Sequence, residues 1–496
     1  MIDKINSIIG FGKFQKLLVF SLISCSFLTC IISLSFSYLT KQPKFLCREN
    51  KNHNLMKCNF DEEKFCNKDK YPEFEYIKDK SNSLYNWSYS FDLYCTNKQY
   101  IALIGSGFFL GAIFGCIFIT PLPDKYGRKN VIQICLSISC ILHFLILISF
   151  NRLLLSIICI TSGFISSIYG NFSLYVAEYI PKENSAISMS FIDAVYPFMG
   201  FVEAIYFLIV NNWRILFLFT TILHIFATYF ILKYLPESPK WLYGQGKINE
   251  SLEMIKKIAE INGKTKELET FINLNKNDLN IKKQEKNTQE NNDNKEYNII
   301  SIIIKFPSQR LVIFILSFTF FCASFCFYGI ILSLENMKGN FFQNSTFSFF
   351  GEMVAELSSG YLSNIYGRTI ILKLGGVIGA LGFLGNIFCP YKLKSFLLLI
   401  SMMGYSSTFN VLYIYTPEII PSSIRSTVSG ALYFCGMVAP SFVPFIKTFF
   451  PNGLDSLFII FGFLYSFACF FLKETLGKEI NDEIMEEKKE TLLIEN

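Results

Sequence analysis

Charge is scarce in this sequence. Only 17% of its 496 residues are Asp, Glu, Lys or Arg, whereas 51% are hydrophobic, and the mean hydropathy is +0.37. A soluble chain of this length would divide into two or three domains with polar surfaces, so the composition excludes that class. The signatures of an enzyme are missing too, because there is no nucleophile motif, no phosphate-binding loop and no His and Cys set at metal-ligand spacing. We therefore expect a membrane protein that is not an enzyme, with no cofactor, no metal and no nucleic-acid partner.

Long apolar blocks are what the sequence has instead. Each is about 20 residues long, enough to cross roughly 30 Å of hydrocarbon as a helix, so we predict an all-α membrane protein with twelve transmembrane helices. The first block is a retained span rather than a signal peptide, since its apolar run is too long and no small-residue cleavage site follows it. Short loops rich in Lys and Arg stay in the cytoplasm, and Lys125, Arg128 and Lys129 after the second block place both termini there. The blocks cover approximately residues 16–39, 99–120, 130–149, 153–177, 185–210, 213–234, 309–334, 346–365, 369–389, 395–416, 424–446 and 454–472.

The loops at one end of these blocks repeat along the chain. Gly127-Arg128 follows the second block and Gly367-Arg368 follows the eighth, preceded at the same distance by Asp124 and Asn364. Each element recurs about 240 residues later, in register, so we predict two six-helix halves in parallel repeat, as in transporters that rock two bundles about a central site. The two other recurring pairs are Glu178 with Glu418 and Glu237 with Glu474.

These loops have the chemistry of a gate. Glycine permits a tight turn between two helices, and the arginine after it can bridge to a carboxylate at the cytoplasmic end of a neighbouring span, for which Glu178 and Glu418 are the obvious partners. Such a charge network closes the cytoplasmic side in one state and breaks in the other. The alternative is that these charges only set the topology. The predicted gate consists of Asp124, Gly127, Arg128, Glu178, Glu237, Gly367, Arg368, Glu418 and Arg425.

The chain divides into two bundles and the segments around them. We predict an N-terminal bundle over residues 1–234, with an external loop at 40–98, and a C-terminal bundle over 309–472, followed by a cytoplasmic tail at 473–496. The cytoplasmic segment 235–308 begins with a short amphipathic helix and continues as a disordered linker, because its composition turns to Asn, Lys, Gln and Glu.

The external loop has features of a secreted domain. Four cysteines in an oxidising compartment indicate two disulfides, with three connectivities open, and the alternative is four free thiols. The loop contains a sequon at Asn86, and a second sequon at Asn344 falls in the external loop between spans seven and eight; both are candidate glycosylation sites. The four cysteines are Cys47, Cys58, Cys66 and Cys95.

Several stretches are typical of one family. They are Trp213-Arg214, Pro236 to Leu242, Ile258 to Lys264, Phe91 to Cys95, Tyr415 to Glu418 with Arg425, and Glu474 to Gly477. On these residues the chain resembles the organic cation, organic anion and carnitine transporters of the major facilitator superfamily, along nearly its whole length. The resemblance implies a twelve-helix fold, alternating access, a glycosylated and disulfide-bonded outer loop, small organic ions as substrates and a place in the plasma membrane.

The chain also departs from that family. Its outer loop has four cysteines where six are common, and Thr120 and Asn364 stand where glycine and an acid are usual. In family members, the residue twelve after the arginine that opens span eleven is often acidic in cation carriers and basic in anion carriers. Here that residue is Met437, so the position that would indicate the charge of the substrate is neutral.

Four acids lie inside the predicted spans, where inserting an ionisable group costs about 3 kcal/mol or more. Asp193 and Glu203 fall in span five, and Glu352 and Glu356 fall one helical turn apart near the middle of span eight. Two adjacent carboxylates in a low dielectric do not both ionise easily, so this pair is a cation site, a proton-coupling site or both. The alternative is that these acids only hydrogen-bond between helices.

Aromatic side chains complete the predicted binding site. Ammonium groups bind to aromatic faces, and Tyr328, which resembles a pocket position of the family, is the first candidate, followed by Tyr196 and Tyr433. No Lys or Arg falls clearly mid-span, which favours a cation over an anion. The predicted function is transport of small organic ions, preferably cations, by alternating access across the lipid bilayer, with proton coupling open. The alternatives are an organic anion carrier, a sugar or polyol porter, and a non-transporting sensor on a transporter fold.

Overall fold

Helices occupy the positions of the twelve predicted spans, which confirms the all-α membrane architecture. In the computed structural model the described residues are 2–29, 31–48, 54–67, 70–71, 74–169, 175–176, 178–181, 188, 190–274, 307–420, 425–450 and 453–477. From span 1 to span 12 the helices are Lys13–Thr29 with Ile31–Thr40, Lys98–Phe118, Arg128–Leu147, Arg152–Ser166, Val195–Ile209, Trp213–Tyr234, Pro307–Ser333, Phe341–Tyr366, Arg368–Phe388, Tyr391–Ile419, Arg425–Phe449 and Leu454–Ala468.

Nine of these helices are long and apolar enough to cross a membrane, counting only the described residues. Spans 1, 4 and 8 are not among them, for different reasons. Span 1 is described on either side of residue 30, as helices of 17 and 10 residues, and the span 4 helix has 15 residues. Span 8 has 26 residues but carries Glu352 and Glu356 among serines and asparagines. The helix with the predicted acid pair is therefore long enough to span the membrane, but its polar residues lower its mean hydropathy below that of the other long spans.

The two halves of the chain meet along seams between particular helices. Within the N-terminal half span 2 packs on span 4 and span 3 on span 6, and within the C-terminal half span 9 packs on span 10 and span 7 on span 11. Between the halves, span 2 packs on span 11 and span 5 on span 8, contacts that we call the 2–11 seam and the 5–8 seam. Small residues allow the closest approach of helices: a methyl group at Gly111 or Gly163 would lie 1.9 or 1.8 Å from a carbonyl oxygen of the facing helix.

We name the two sides of the membrane by the predicted topology. The loop on the predicted external side folds into a small domain with its own core. Phe45 lies at the centre of this core, with the ring centroids of Phe65 and Tyr94 4.7 and 5.0 Å from its own. Two disulfides staple the domain, and of the three connectivities that the sequence leaves open the structure has Cys47–Cys58 and Cys66–Cys95. The antiparallel sheet has the order β2-β1-β3, and the elements are β1 Phe45–Arg48, β2 Met56–Cys58, β3 Glu75–Lys78 and the helices Glu62–Cys66 and Trp87–Phe91.

The external domain is fastened to the N-terminal half. The backbone N–H of Tyr85 donates to the carbonyl oxygen of Asn211 at 2.7 Å, and the carbonyl oxygen of Tyr85 accepts from the N–H of Trp213 at 3.1 Å. The indole Nε1 of Trp213 donates to Ser90 Oγ at 3.2 Å. These bonds tie the domain to the loop that precedes span 6.

Short helices cover the cytoplasmic ends of the spans. The segment after span 6 contains an amphipathic helix, in which Ile248, Ile255 and Ile258 are buried and Leu252 is half-buried. A disordered linker is predicted for residues 273–297. Residues 273 and 274 end a helix, and the rest of the predicted linker lies outside the described residues. The cytoplasmic helices are Ile2–Ile9, Leu122–Tyr126, Pro239–Gly244, Ile248–Asn262 and Thr265–Leu274.

One asparagine links these helices to the first span. Asn262, the last residue of the amphipathic helix, accepts through Oδ1 from the backbone N–H of Phe14 at 3.0 Å. Its Nδ2 donates to Gln15 Oε1 at 2.7 Å. The side chain of Gln15 also donates to the carbonyl oxygen of Tyr179, 3.4 Å away at the end of span 4. The amphipathic helix is therefore attached to two spans of the N-terminal half.

The structure buries both predicted glycosylation sites. Asn86 is fully buried, and its Nδ2 donates to the carbonyl oxygens of Tyr38 and Lys41 at 2.7 and 2.8 Å. Asn344 lies in the first turns of span 8 rather than in a loop, and there it is fully buried and accepts from Ser395 Oγ at 2.7 Å. A glycan is bulky and needs its asparagine at the surface, so neither side chain is accessible for glycosylation in this conformation.

Replacing Asn86 by alanine is expected to loosen the external domain. The change leaves the buried carbonyl groups at the end of span 1 without a donor, at about 1–3 kcal/mol for each unsatisfied group. We expect a lower midpoint of thermal unfolding for purified Asn86→Ala protein than for Asn54→Ala, a change at an exposed position of the same loop. Glycosidase treatment is expected to leave the electrophoretic mobility of the wild type unchanged. A mobility shift that disappears in Asn86→Ala would contradict the burial of this side chain.

Candidate functional site

A carboxylate caps the turn between spans 2 and 3 on the cytoplasmic side. Gly127 in this turn has a φ of +96°, a conformation that favours glycine. Glu237 Oε1 accepts from the backbone N–H groups of Arg128 and Lys129, at 2.9 and 3.2 Å. Because these donors begin span 3 and have no partner within the helix, the carboxylate satisfies them and also complements the helix dipole. A methyl group at position 127 would lie 2.5 Å from Glu237 Oε2, so the turn has room only for glycine.

The side chain of Arg128 joins this turn to span 4. Its Nε donates to Glu178 Oε1 at 2.8 Å, and its Nη2 forms an ion pair with Asp124 Oδ1 at 2.9 Å. Its Nη1 also donates to the carbonyl oxygen of Pro123 at 3.2 Å. Arg128 thus pairs with the carboxylate expected from the sequence.

The C-terminal half repeats the arrangement. Gly367 has a φ of +103°, and Glu474 accepts from the backbone N–H of Arg368 at 2.8 Å and from the N–H and Oγ1 of Thr369 at 3.0 and 2.7 Å. Arg368 Nη2 forms an ion pair with Glu418 Oε1 at 3.0 Å. Burial by itself raises the pKa of Glu474, but the hydrogen bonds from Thr369 and from the backbone N–H groups lower that pKa to about 2. This carboxylate therefore stays ionised at neutral pH.

Each cytoplasmic network lies within one half. The first joins the ends of spans 2, 3, 4 and 6, and the second joins the ends of spans 8, 9, 10 and 12. The side chain of Arg425 lies outside the described residues. Hydrogen bonds between the halves occur toward the external side, where Ser37 Oγ donates to the carbonyl oxygen of Ile331 and Ser106 Oγ to that of Ser441, both at 2.6 Å. In this conformation the halves are joined externally, and each cytoplasmic network holds its own half together.

Three carboxyl groups meet at the 5–8 seam. Glu352 and Glu356 lie one turn apart on the buried face of span 8, and Asp193 of span 5 interacts electrostatically with Glu356. Ser406 Oγ of span 10 donates to Glu356 Oε1 at 2.9 Å. Among the described residues, neither carboxyl oxygen of Glu352 has a hydrogen-bond partner, and Oε2 of Glu356 has none. The ion pairs between described residues do not involve any of the three acids.

Aromatic rings from both halves surround Tyr328 of span 7. The rings contributed by other helices lie at centroid distances of 5.2 Å for Phe109 of span 2, 6.3 Å for Tyr196 of span 5 and 6.0 Å for Phe409 of span 10. Two of these rings belong to the N-terminal half, so Tyr328 lies where the two halves meet.

Tyr413 of span 10 was missed by the sequence analysis and connects the acids to the aromatic rings. It interacts electrostatically with Asp193 and with Tyr433, whose ring centroid lies 6.5 Å from its own. The sequence held a signal for it, because Ser406, Asn410 and Tyr413 are four and three residues apart and share one face of the helix. Ser406 and Asn410 both donate hydrogen bonds to span 8, so this face of span 10 is directed at the acid pair.

Most of the predicted binding residues form one connected group through Tyr413. Six of the seven predicted residues belong to it: Glu352, Glu356, Asp193, Tyr196, Tyr328 and Tyr433. The seventh, Met437, is buried in the hydrophobic core and adds no charge. The group therefore combines carboxyl groups with aromatic faces between the two halves of the protein.

Known proteins similar to this chain are membrane transporters. A family model described as Major Facilitator Superfamily matches residues 76–444. Solute carrier family 22 member 6-B of Xenopus laevis is 26% identical over 419 residues, which cover 80% of this chain and 72% of that protein. The human organic cation/carnitine transporter 2 is 24% identical over 433 residues, which cover 82% of this chain and 74% of that protein.

A solved structure shares the fold. The xylose transporter XylE from E. coli, in an inward open conformation, matches with a TM-score of 0.63 over 95% of this chain and 98% of its own, at 14% identity. At that identity the likeness concerns the fold alone. The family model and the relatives describe transporters rather than enzymes. The chain belongs to the Major Facilitator Superfamily and, within it, groups with the organic cation, organic anion and carnitine transporters.

Proposed function

We propose that this protein carries small organic cations across the plasma membrane by alternating access, with both termini in the cytoplasm. The observation that carries the proposal is the group of Asp193, Glu352 and Glu356 at the 5–8 seam, which has no ion pair with a Lys or Arg among the described residues. Ionisable groups inside a membrane protein are costly and mark substrate or ion pathways. Here they lie where the two halves separate, which is where a transported ion has to bind.

The charge of the site favours a cation. A desolvated carboxyl group attracts an ammonium group far more strongly than it would in water, and it repels an anion by the same factor. The rings around Tyr328 add the aromatic faces on which organic ammonium groups rest. Relatives of this chain include proteins named as organic anion transporters and proteins named as organic cation/carnitine transporters, so the choice between anion and cation rests on these residues.

The placement of the contacts between the halves supports alternating access. Hydrogen bonds join the halves toward the external side, while the networks around Arg128 and Arg368 hold each half together at its cytoplasmic ends. Two rigid bundles joined in this way can rock about a central site, exposing it to one side at a time. In the externally open conformation, the bonds of Ser37 and Ser106 would have to break.

A proton takes the place of the substrate when the site is empty. Glu352 and Glu356 repel one another when both are ionised, so one of their two negative charges is neutralised either by a bound cation or by a proton. Cation and proton therefore compete for the same carboxyl groups. This competition makes the carrier an exchanger of organic cations for protons.

Neutralising the acid pair is expected to weaken cation transport. In vesicles that contain purified protein, Glu352→Gln and Glu356→Gln are each expected to lower the uptake of a labelled organic cation at low concentration by about tenfold or more, because tenfold corresponds to only about 1.4 kcal/mol of lost charge interaction. The matched control is Asp455→Asn, at an exposed acid in the first turn of span 12, which is expected to transport like the wild type.

The same vesicles distinguish the other substrates. They are offered labelled organic anions and zwitterions as well, with and without a pH gradient. Uptake of anions alone, unchanged by either glutamate substitution, would contradict the preference for cations. A rate of cation uptake that is the same with and without a pH gradient would contradict the exchange with protons.

Arg128→Gln is expected to slow transport without weakening binding. Arg128 lies at the cytoplasmic ends of the spans, and its loss frees Glu178 and disturbs the contact between spans 3 and 4. We expect the maximal rate of cation uptake to fall by about tenfold, the effect of about 1.4 kcal/mol on the barrier between the two conformations. The concentration for half-maximal uptake is expected to stay the same.

Lys129→Gln is the control for this variant. It removes a positive charge from the same loop but keeps the backbone N–H that donates to Glu237. If Lys129→Gln slows transport as much as Arg128→Gln does, the charges of this loop only set the topology, and the gate role is refuted.

A further inference from the structure

Another buried carboxyl group inside the spans lies apart from the proposed binding site. Glu203 of span 5 is fully buried, and its Oε2 accepts from Ser35 Oγ of span 1 at 2.6 Å. Among the described residues its Oε1 has no hydrogen-bond partner. Glu203 follows Asp193, the acid of the binding site, by ten residues, which is about 15 Å along a helix. The carboxyl group therefore lies much closer to the external side than the three acids do.

Glu203 is enclosed by helices from both halves. At Gly200, less than one turn earlier, a methyl group would lie 2.4 Å from the ring of Phe349 of span 8, so spans 5 and 8 are in close contact there. Tyr38 of span 1 interacts electrostatically with Glu203 and also interacts with Ser345 of span 8. Separation of the halves on the external side would therefore expose this carboxyl group to water.

The groups around Glu203 supply no nearby positive charge within the described part of the chain. In the middle and the external half of the helices around it, the titratable side chains are Tyr38 of span 1, Glu352 and Glu356 of span 8, and Asp193, Tyr196 and Tyr206 of span 5 itself. Tyr206 donates its hydroxyl to a backbone carbonyl. Lys41, one turn beyond Tyr38, interacts with Glu335 instead. The lysines that begin span 1 lie at its opposite, cytoplasmic end.

We infer that Glu203 is a proton-binding site that takes up one proton when the external side of the protein closes. A carboxylate enclosed in a low dielectric with one donor and no cation is strongly disfavoured, whereas the neutral acid keeps its bond from Ser35. In the closed conformation described here the carboxyl group is therefore protonated. When spans 5 and 8 part on the external side and water enters, the O–H bond breaks, and the proton passes to water.

The direction of the pH effect follows from this linkage. The externally closed conformation binds one proton more than the externally open one, so lowering the pH favours the closed conformation and raising it favours the open one. The inference rests on the two conformations of the proposed function but not on its substrate or on the acid pair of span 8. It adds a second proton site, whose role is to bias the conformation rather than to compete with the cation.

Hydrogen–deuterium exchange tests this inference without any substrate. In the wild type, the backbone amides of residues 31–40 and 334–345, which flank the external contacts, are expected to exchange about threefold or more slowly at about pH 5 than at about pH 8, after correction for the intrinsic effect of pH. In Glu203→Gln, which is always neutral, exchange is expected to be slow at both pH values.

Glu335→Gln is the matched control for this experiment. Its carboxylate belongs to the same external contacts, accepting from Thr40 Oγ1 at 3.4 Å, but it forms an ion pair with Lys447 at 2.9 Å. This variant weakens the external contacts at both pH values, and the difference between the two pH values is expected to persist.

A second variant keeps the carboxyl group and changes only its donor. Ser35→Ala removes the hydroxyl that stabilises the ionised form, so the midpoint of the pH response is expected to move upward by about one pH unit, a tenfold change in proton affinity. A wild type without a pH response, or a Glu203→Gln protein that responds like the wild type, would overturn the inference. A wild type that shows the response but carries no organic cation would uphold it and refute only the proposed substrate.

Discussion

A charge that water cannot reach needs a partner, and the rest of this structure depends on how each buried acid meets that requirement. At the cytoplasmic ends of the spans, Glu178 and Glu418 pair with arginines, and Glu237 and Glu474 accept from backbone donors at the starts of spans 3 and 9. The protein itself supplies a positive side chain or backbone donors for each of these acids. The acids at the 5–8 seam are satisfied only in part, and we propose that small ions from outside the protein complete them.

The two seams between the halves are related by the internal repeat but differ in chemistry. Because the halves repeat after six spans, span 2 corresponds to span 8 and span 5 to span 11, so the 2–11 seam is the counterpart of the 5–8 seam. The residues 240 positions before Glu352 and Glu356 are Ala112 and Cys116, which are buried in span 2. The 5–8 seam therefore carries carboxyl groups where the 2–11 seam has neutral side chains. Opening the 5–8 seam hydrates carboxyl groups, whereas opening the 2–11 seam exposes Ala112 and Cys116 at the matching positions.

The features that the sequence predicted are those that depend on short-range patterns. The apolar blocks marked the spans, the Gly-Arg loops marked the turns at the cytoplasmic side, and spacing along one helix placed Glu352 beside Glu356. Apart from the ion pairs of Arg128 with Glu178 and Arg368 with Glu418, contacts between distant segments could not be predicted. A sequon is a local pattern, but the burial of Asn86 follows from backbone groups at the end of span 1, more than forty residues earlier.

The candidate site shows the same limit. Its acids stood out because charge inside a span is rare, but Tyr413 was hidden among the many aromatic residues of the chain, and only its helical spacing from Ser406 and Asn410 singles it out. The pairing of the cysteines was equally out of reach, since three connectivities fit the sequence and the fold of the domain selects one. Because Met437 is neutral, the charge of the substrate has to be inferred from the acids at the 5–8 seam.

The attachment of the external domain has a mechanical consequence. Because Tyr85 and Trp213 attach the external domain to the N-terminal half, the domain moves together with that half when the bundles rock. Its position relative to the C-terminal half then differs between the externally closed and externally open conformations. An antibody fragment that binds only the external domain would move with it and leave transport unaffected. A fragment that binds both the external domain and the C-terminal half would hold the two halves in one arrangement and inhibit transport.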